Sequence, residues 1–376
     1  MSEFQYYEFQ AVDRPLDEAD HQALRALSTR ARITATSFTN VYEWGDFKGD
    51  PATLMERWFD LHLYLANWRA RRLMIRLPKR LADQQRLKAF LCKTDCAVLR
   101  ASGENLILDI AQDEVELDGD WDDGSGWLAA LAPLRADMLA GDLRLCYLLW
   151  LTAVEANTVE ADDPEPMSGI GPVTGALEAF TAFFGIDPYL VQAAAEHSVG
   201  VSAASPDAVL RAIAAMAGHE KTGMLMRLFG GDPLLASEFR ATIRERLAPA
   251  PNASPVAART AGELRARARS IRLARERAQA GKAAAELRRQ EEQAEKARRA
   301  RLDAIARRGE GVWGEIETEI GRRNAAGYDR AASLLHELRI IAGEQGASED
   351  FASRLCTIRE RHARKERFIE RLTAIR

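Results

Sequence analysis

Cysteine is scarce. Only Cys92, Cys96, Cys146 and Cys356 occur in 376 residues, too few and too scattered for a disulfide framework, so a reducing, cytoplasmic setting is expected. Lysine is scarce as well. Eight of the 52 basic residues are lysine and the rest arginine, and with the heavy use of alanine this is the bias that GC-rich bacterial coding produces. Long apolar runs are missing. The most apolar stretch, Leu145 to Val154, is flanked by Arg144 and Glu155, and a membrane span needs about twenty such residues. The first residues, Met-Ser-Glu-Phe-Gln-Tyr-Tyr-Glu, contain neither a basic nor an apolar signal region, so no secretory leader is expected.

Familiar catalytic motifs are missing too. No Gly-Lys-Ser/Thr phosphate loop, Gly-x-Ser-x-Gly elbow, His-x-His or His-Glu-x-x-His occurs, and each of those chemistries depends on its spacing. Glycines cluster at Gly169, Gly171 and Gly175, without a preceding strand or the dinucleotide-binding spacing. The stretch Asp118–Gly124 has the look of a calcium loop. Asp123 and Ala129 stand where such a loop needs glycine and a bidentate glutamate, so it reads as an acidic turn. Cys92 and Cys96, four apart, fall on neighbouring turns of an expected helix with no second ligand pair nearby, and read as half-buried structural thiols. His62 lies between Leu61 and Leu63 and reads as a core histidine. No metal and no cofactor is expected.

Charge is plentiful and unevenly spread. Residues 1–258 carry 24 Lys/Arg against 37 Asp/Glu, residues 259–308 carry 16 against 7, and residues 309–376 carry 12 of each. The overall charge of -4 thus combines an acidic body, a basic segment and a neutral tail.

The pattern of residues predicts an α+β domain over 1–157, then all-α modules, a long Arg/Ala-rich helix and a C-terminal helical hairpin. Strands are expected at Tyr6–Asp13, at Arg32–Trp44 as one long strand, at Arg72–Leu77, and in a hairpin of Ala97–Ala101 with Leu106–Ile110. Pro51 starts a helix whose stripe is Leu54, Trp58, Leu61 and Leu65. An acidic linker (158–171) leads to a helical domain (172–247). There Ser205-Pro206 and Asp232-Pro233 are N-cap and N1 signals. A Pro/Ala linker (248–258) precedes the basic segment 259–308, which contains no proline and would reach on the order of 70 Å as one helix. Leu264, Ile271, Ala278 and Ala285 recur at seven-residue intervals before Glu292 interrupts. A coiled coil, which would make the chain a homo-oligomer, a lone helix and a disordered spacer all stay open. Residues 309–376 read as a hairpin turning at Gly343–Gly346 and docking on Trp313 or on a partner.

Three surfaces are candidates for function. Tyr42, Trp44, Asp46, Phe47 and Lys48 surround a Gly/Asp turn and suit partner binding. Arg69, Arg72 and Arg76, near Trp68, form a basic patch that would bind nucleic acid unless the domain's own carboxylates neutralise it. Arg265, Arg272, Arg288 and Arg298 represent the basic segment, where phosphate neutralisation is the expected chemistry. Asp46, Lys48 and Asp50 are the first residues to inspect for an unfamiliar catalytic site.

Two stretches carry resemblances. Tyr7-Glu8-Phe9-Gln10-Ala11-Val12-Asp13-Arg14-Pro15-Leu16 and Thr36-Ser37-Phe38-Thr39-Asn40-Val41-Tyr42-Glu43-Trp44-Gly45-Asp46-Phe47-Lys48-Gly49-Asp50 resemble a family of uncharacterised bacterial proteins, which implies no catalytic residues. Tyr328–Leu338 and Arg359–Lys365 are similar to the C-terminal ends of some bacterial SWIM zinc-finger proteins. Their Cys-x-Cys…Cys-x-His motif is absent here, so that resemblance implies a shared docking hairpin. The expectation is a cytoplasmic, non-enzymatic interaction protein with a protein partner, nucleic-acid association through 259–308 being the alternative and an enzyme with an unfamiliar site the third reading.

Overall fold

The computed structural model describes residues 3–115, 122–197, 205–247 and 258–373. The chain divides into two compact units, Met1–Ala274 and Arg275–Arg376.

The first unit is built on a seven-stranded sheet. Its strands are β1 (Gln5–Gln10), β2 (Arg32–Ile33), β3 (Ser37–Tyr42), β4 (Leu61–Ala66), β5 (Arg71–Pro78), β6 (Ala97–Ser102) and β7 (Asn105–Gln112). They run in the order β2-β3-β1-β4-β5-β7-β6, with every neighbouring pair antiparallel. Because side chains alternate across a strand, Leu61, Leu63 and Leu65 join Leu73, Ile75, Leu77, Leu106, Leu108 and Ile110 in the main core on one face. The opposite face carries Phe9, Phe38, Met74 and Ile107 in a second core.

Two predicted elements are corrected here. The strand expected over Arg32–Trp44 folds back on itself. Thr34 N–H donates to the Ser37 carbonyl (2.9 Å) and the two hydroxyls meet at 2.6 Å, so β2 pairs antiparallel with β3. The helix expected to run from Pro51 through Leu65 stops at Arg57. Leu61, Leu63 and Leu65 satisfy a two-residue period as well as a helical stripe, and backbone pairing of β4 with β1 and β5 decides between them. His62 is buried as expected, although on a strand.

Helices α1 (Glu18–Leu27) and α2 (Pro51–Arg57) contribute Leu24, Leu54 and Met55 to the second core. Asp17 and Asp50 cap them, each side-chain carboxylate accepting first-turn N–H groups that have no intrahelical partner. The main core is covered by α3 (Gln84–Leu91), α4 (Trp127–Leu131), α5 (Pro133–Leu139), α6 (Arg144–Glu155), α7 (Gly175–Phe183) and α8 (Pro188–Ala195). Helices α7 and α8 therefore belong to the sheet unit's core through Phe180, Phe183 and Leu190, and not to a separate domain starting at 172.

The stretch 158–171, expected as a linker, is packed. Val159 and Ile170 are buried, and Gly169 (φ +85°) lies so close to the His197 carbonyl that a side chain has no room. Cys92 caps α3 and Cys96 lies beyond it, so the two thiols do not share a helix. Of the expected acidic turn, 118–121 lie outside the described residues, as does most of the 248–258 linker.

Helices α9 (Pro206–Ala214), α10 (Gly218–Phe229) and α11 (Leu235–Leu247) share a small cluster of Ala212, Met216 and Ile243. Helix α12 (Ala261–Arg308) has 48 residues, and the boundary between the units falls inside it. Its first turns enter the main core through Ala261, Leu264 and Ala268. In the second unit its end packs through Leu302 and Ile305 with α13 (Glu310–Gly321), α14 (Ala325–Gln345), α15 (Ser348–Arg361) and α16 (Glu366–Leu372). The expected hairpin is thus one part of a five-helix core, and Trp313 packs against Phe351, the rings tilted by 44° and 5.9 Å apart between centres. The turn falls at Gly346, left-handed at φ +70°.

Candidate functional site

The face of the sheet that α1 and α2 cover is not covered completely. Cross-strand pairing aligns two rows of side chains there. One row is Asn40, Tyr7, Tyr64, Arg72 and Ala111; the next is Phe38, Phe9, His62, Met74 and Asp109. The second row is sealed, while Tyr7, Tyr64, Arg72 and Ala111 of the first form the floor of a cavity of about 340 Å³. Phe47, Gly49 and Pro51 wall it from the loop before α2, and Ala70 and Asp113 stand at the ends of β5 and β7. The loop closes down because Gly49 has no side chain: a Cβ there would lie 2.6 Å from Phe47 Cζ.

The floor is aromatic. The Tyr7 ring centre lies 5.1 Å from Phe47 and 4.7 Å from Tyr64. Both phenols reach Gln5 Oε1, Tyr7 at 2.7 Å and Tyr64 at 3.3 Å, and Gln5 Nε2 donates to the Gly45 carbonyl and to Asp46. Burial, joined by the Asp46 and Asp113 carboxylates, pushes the Tyr64 phenol up to about 12; burial raises Tyr7 as well. Both stay protonated at neutral pH.

Two polar groups complete the walls. His62 is fully buried, stacked on Phe9 at 3.9 Å. Burial, with Arg72 nearby, pushes its pKa down to about 3, so the ring is neutral. Nδ1 faces the Glu8 carbonyl at 3.0 Å and so carries the hydrogen. Nε2 has no partner among the described residues. Arg72 is held by Asp109 through two 2.8 Å hydrogen bonds, a bidentate clamp that fixes the guanidinium.

The five residues expected around the Gly/Asp turn separate. Phe47 is a cavity wall. Tyr42 is buried and accepts from Asn40 at 2.7 Å. Asp46 anchors Gln5. Trp44, 69 % exposed, has Arg30 over its ring at 5.5 Å, and Lys48 is exposed. The trio Asp46, Lys48 and Asp50 does not line the cavity, and Asp50 is engaged in capping α2. No group of three or more His, Cys, Asp or Glu among the described residues is arranged to hold a metal.

The arginine patch does not form one surface. Arg72 pairs with Asp109, Arg76 with Asp60, and Arg71 with Asp122 on the opposite face at 3.7 Å, while Arg69 sits in the exposed β4–β5 turn with φ 71°. Asp60 is the hub of a buried network. It accepts from the N–H groups of Val12 (2.7 Å) and Asp13 (2.9 Å) and from Arg76 and Arg135.

The basic segment also divides. Arg265 donates to the Val154 and Val159 carbonyls and Arg272 pairs with Asp187. Arg259 is clamped by buried Glu165. Further along, among the described residues, Arg298 pairs only with Glu295 on its own helix, and Arg288 has no ion pair. The same holds for Arg275, Lys282, Arg289 and Lys296. Their seven-residue spacing puts them on one stripe of α12, about 10.5 Å apart.

Tyr64 and His62 as cavity residues escape sequence reasoning because β4 reads as helix, and Asp113, just past β7, joins them only through strand pairing. The alternation His62-x-Tyr64, matched by Tyr7-x-Phe9, is the signal that would reveal them. Together the fold and the cavity define an α+β sheet protein with an aromatic recess and a helical C-terminal unit. The chain matches no family model, no curated protein and no solved structure.

Proposed function

We propose that the protein is a cytoplasmic, non-enzymatic interaction protein that docks a protein partner on α10. The observation that carries this reading is the outward apolar face of that helix. Leu225, Met226, Leu228 and Phe229 are exposed there, Phe229 by 91 %, with Leu210 of α9 exposed as well. A run of large apolar side chains left in water is a cost that binding recovers, at about 25 cal/mol for each Å² covered. The i, i+1 and i+4 spacing of Leu225, Met226 and Phe229 suits a partner's apolar groove, and methionine adapts to its shape. The buried charges of the sheet unit are consistent with a structural role, since Asp60, Arg76 and Arg135 satisfy one another.

The test places a photo-crosslinking amino acid at Phe229 and, as control, at exposed Val98, in the native host. A single heterologous adduct from position 229, lost when Leu225→Asp is added, supports the reading. An adduct of twice the chain mass, or equal labelling from both positions, overturns it in favour of self-association or non-specific contact.

A second reading, association with nucleic acid, is favoured by the unpaired stripe of Arg275, Lys282, Arg289 and Lys296. Replacing all four with glutamine should flatten the plot of log affinity against log salt by about 3 to 4 on duplex DNA. An unchanged slope removes the helix from that role.

A further inference from the structure

The cavity on the sheet shares no lining residue with α10. Its floor and wall offer three aromatic rings, Tyr7, Phe47 and Tyr64, whose faces carry negative potential. One carboxylate lines it and two more lie beyond the lining. Asp113 stands at its rim with no ion pair among the described residues, Asp46 is close enough to act on both tyrosines, and Asp50 on Arg72. The one guanidinium that faces it, Arg72, has its charge met by the bidentate Asp109. Arg71 contributes to the lining, but its guanidinium lies over Phe183 at 5.4 Å on the other side of the sheet.

His62 backs the floor: it is 0 % exposed, its Nδ1 hydrogen goes to the Glu8 carbonyl, and its Nε2 is sealed from the cavity as from solvent. Aromatic faces beside a carboxylate that has no ion pair among the described residues are the complement of one chemical class, an organic cation.

We propose that the cavity binds a small organic cation, an alkylammonium or alkylguanidinium of side-chain size, over Tyr7, Phe47 and Tyr64, with Asp113 as counter-charge. The cavity volume fits one such group. It is either a free metabolite or the end of a lysine or arginine side chain.

The experiment titrates the full chain with n-butylguanidinium, its neutral isostere n-butylurea, and butyrate, followed by backbone amide NMR shifts of residues in β1, β4 and the 45–51 loop. The cation should bind about tenfold or more tightly than the urea, and butyrate should not compete. Asp113→Asn, an exposed position that leaves the fold intact, should weaken the cation about threefold or more and leave the urea unchanged. Gly49→Ala, which pushes the Phe47 ring aside, should weaken both. Acetyl-Gly-Arg-Gly-amide separates the sources: tighter binding than butylguanidinium assigns the site to a polypeptide side chain, and weaker binding to a free cation. Equal binding of cation and urea, tighter binding of butyrate, or no shift with any probe at about 10 mM, a Kd too weak for a specific site, overturns the proposal.

Discussion

Replacing Asp60 with asparagine tests whether the centre of the sheet unit is held by charge. The carboxylate is 0 % exposed and accepts from two backbone N–H groups and from Arg76 and Arg135, which are themselves 14 % and 4 % exposed. Asparagine keeps the shape and one acceptor oxygen but leaves Arg76 without a countercharge and Arg135 with Asp13 alone (2.6 Å). Breaking a buried pair from one side costs about 3–5 kcal/mol. With a urea slope of about 3 kcal/mol/M, the unfolding midpoint falls by about 1 M or more. Tryptophan fluorescence reports the transition, since six of the seven tryptophans lie within residues 1–157. Asp113→Asn is the matched control and should shift nothing. An Asp60→Asn midpoint indistinguishable from the control would refute the reasoning.

Acidity makes the same point in the parent protein. Burial alone would raise the Asp60 carboxyl, but Arg135, Arg76 and the N–H groups of Asp13 and Val12 outweigh it and hold it below the usual range. A depressed carboxyl contributes stability above its unfolded pKa of about 3.9 and loses it as pH falls through the folded value. The parent should therefore lose stability below about pH 4, and Asp60→Asn should lose correspondingly less over that interval.

Other predictions follow from buried partners elsewhere. Glu165→Ala leaves the Tyr147 hydroxyl and the Arg259 guanidinium without their shared acceptor, so hydrogen exchange over residues 259–271 should accelerate markedly; unchanged protection would show that the apolar contacts of Leu264 and Ala268 suffice. Thiol labelling of the folded chain should be fast at exposed Cys92 and Cys356 and slow at Cys96. At Cys146, where burial and then Asp142 push the thiol up to about 12, labelling should occur only on unfolding; prompt labelling there would mean that α6 opens.

The elements that sequence reasoning finds share one property: their signals are local. Proline after a capping residue marks α9 and α2, a hairpin with Gly103 marks β6 and β7, and an Ala/Arg composition without proline marks α12; at Asp232-Pro233 the same signal comes early, the helix starting at Leu235. Where two local codes coincide, the sequence is ambiguous. Leu54, Trp58, Leu61 and Leu65 satisfy a helical stripe, yet the last two alternate as well as they step, and only pairing with β1 and β5 resolves them. That error conceals the candidate site, because Tyr64 and His62 point together only on a strand.

Domain class, charge segregation and the uninterrupted helix are determined by composition and period, which need no knowledge of what lies opposite. Tertiary structure decides how each charge is used. Arg265, Arg272 and Arg288 are equivalent as letters in a basic segment, but the first two are met by carbonyls or a carboxylate of the sheet unit while the third has no ion pair among the described residues. Coulomb energy and desolvation depend on distance and burial, and neither is written in the order of residues along the chain.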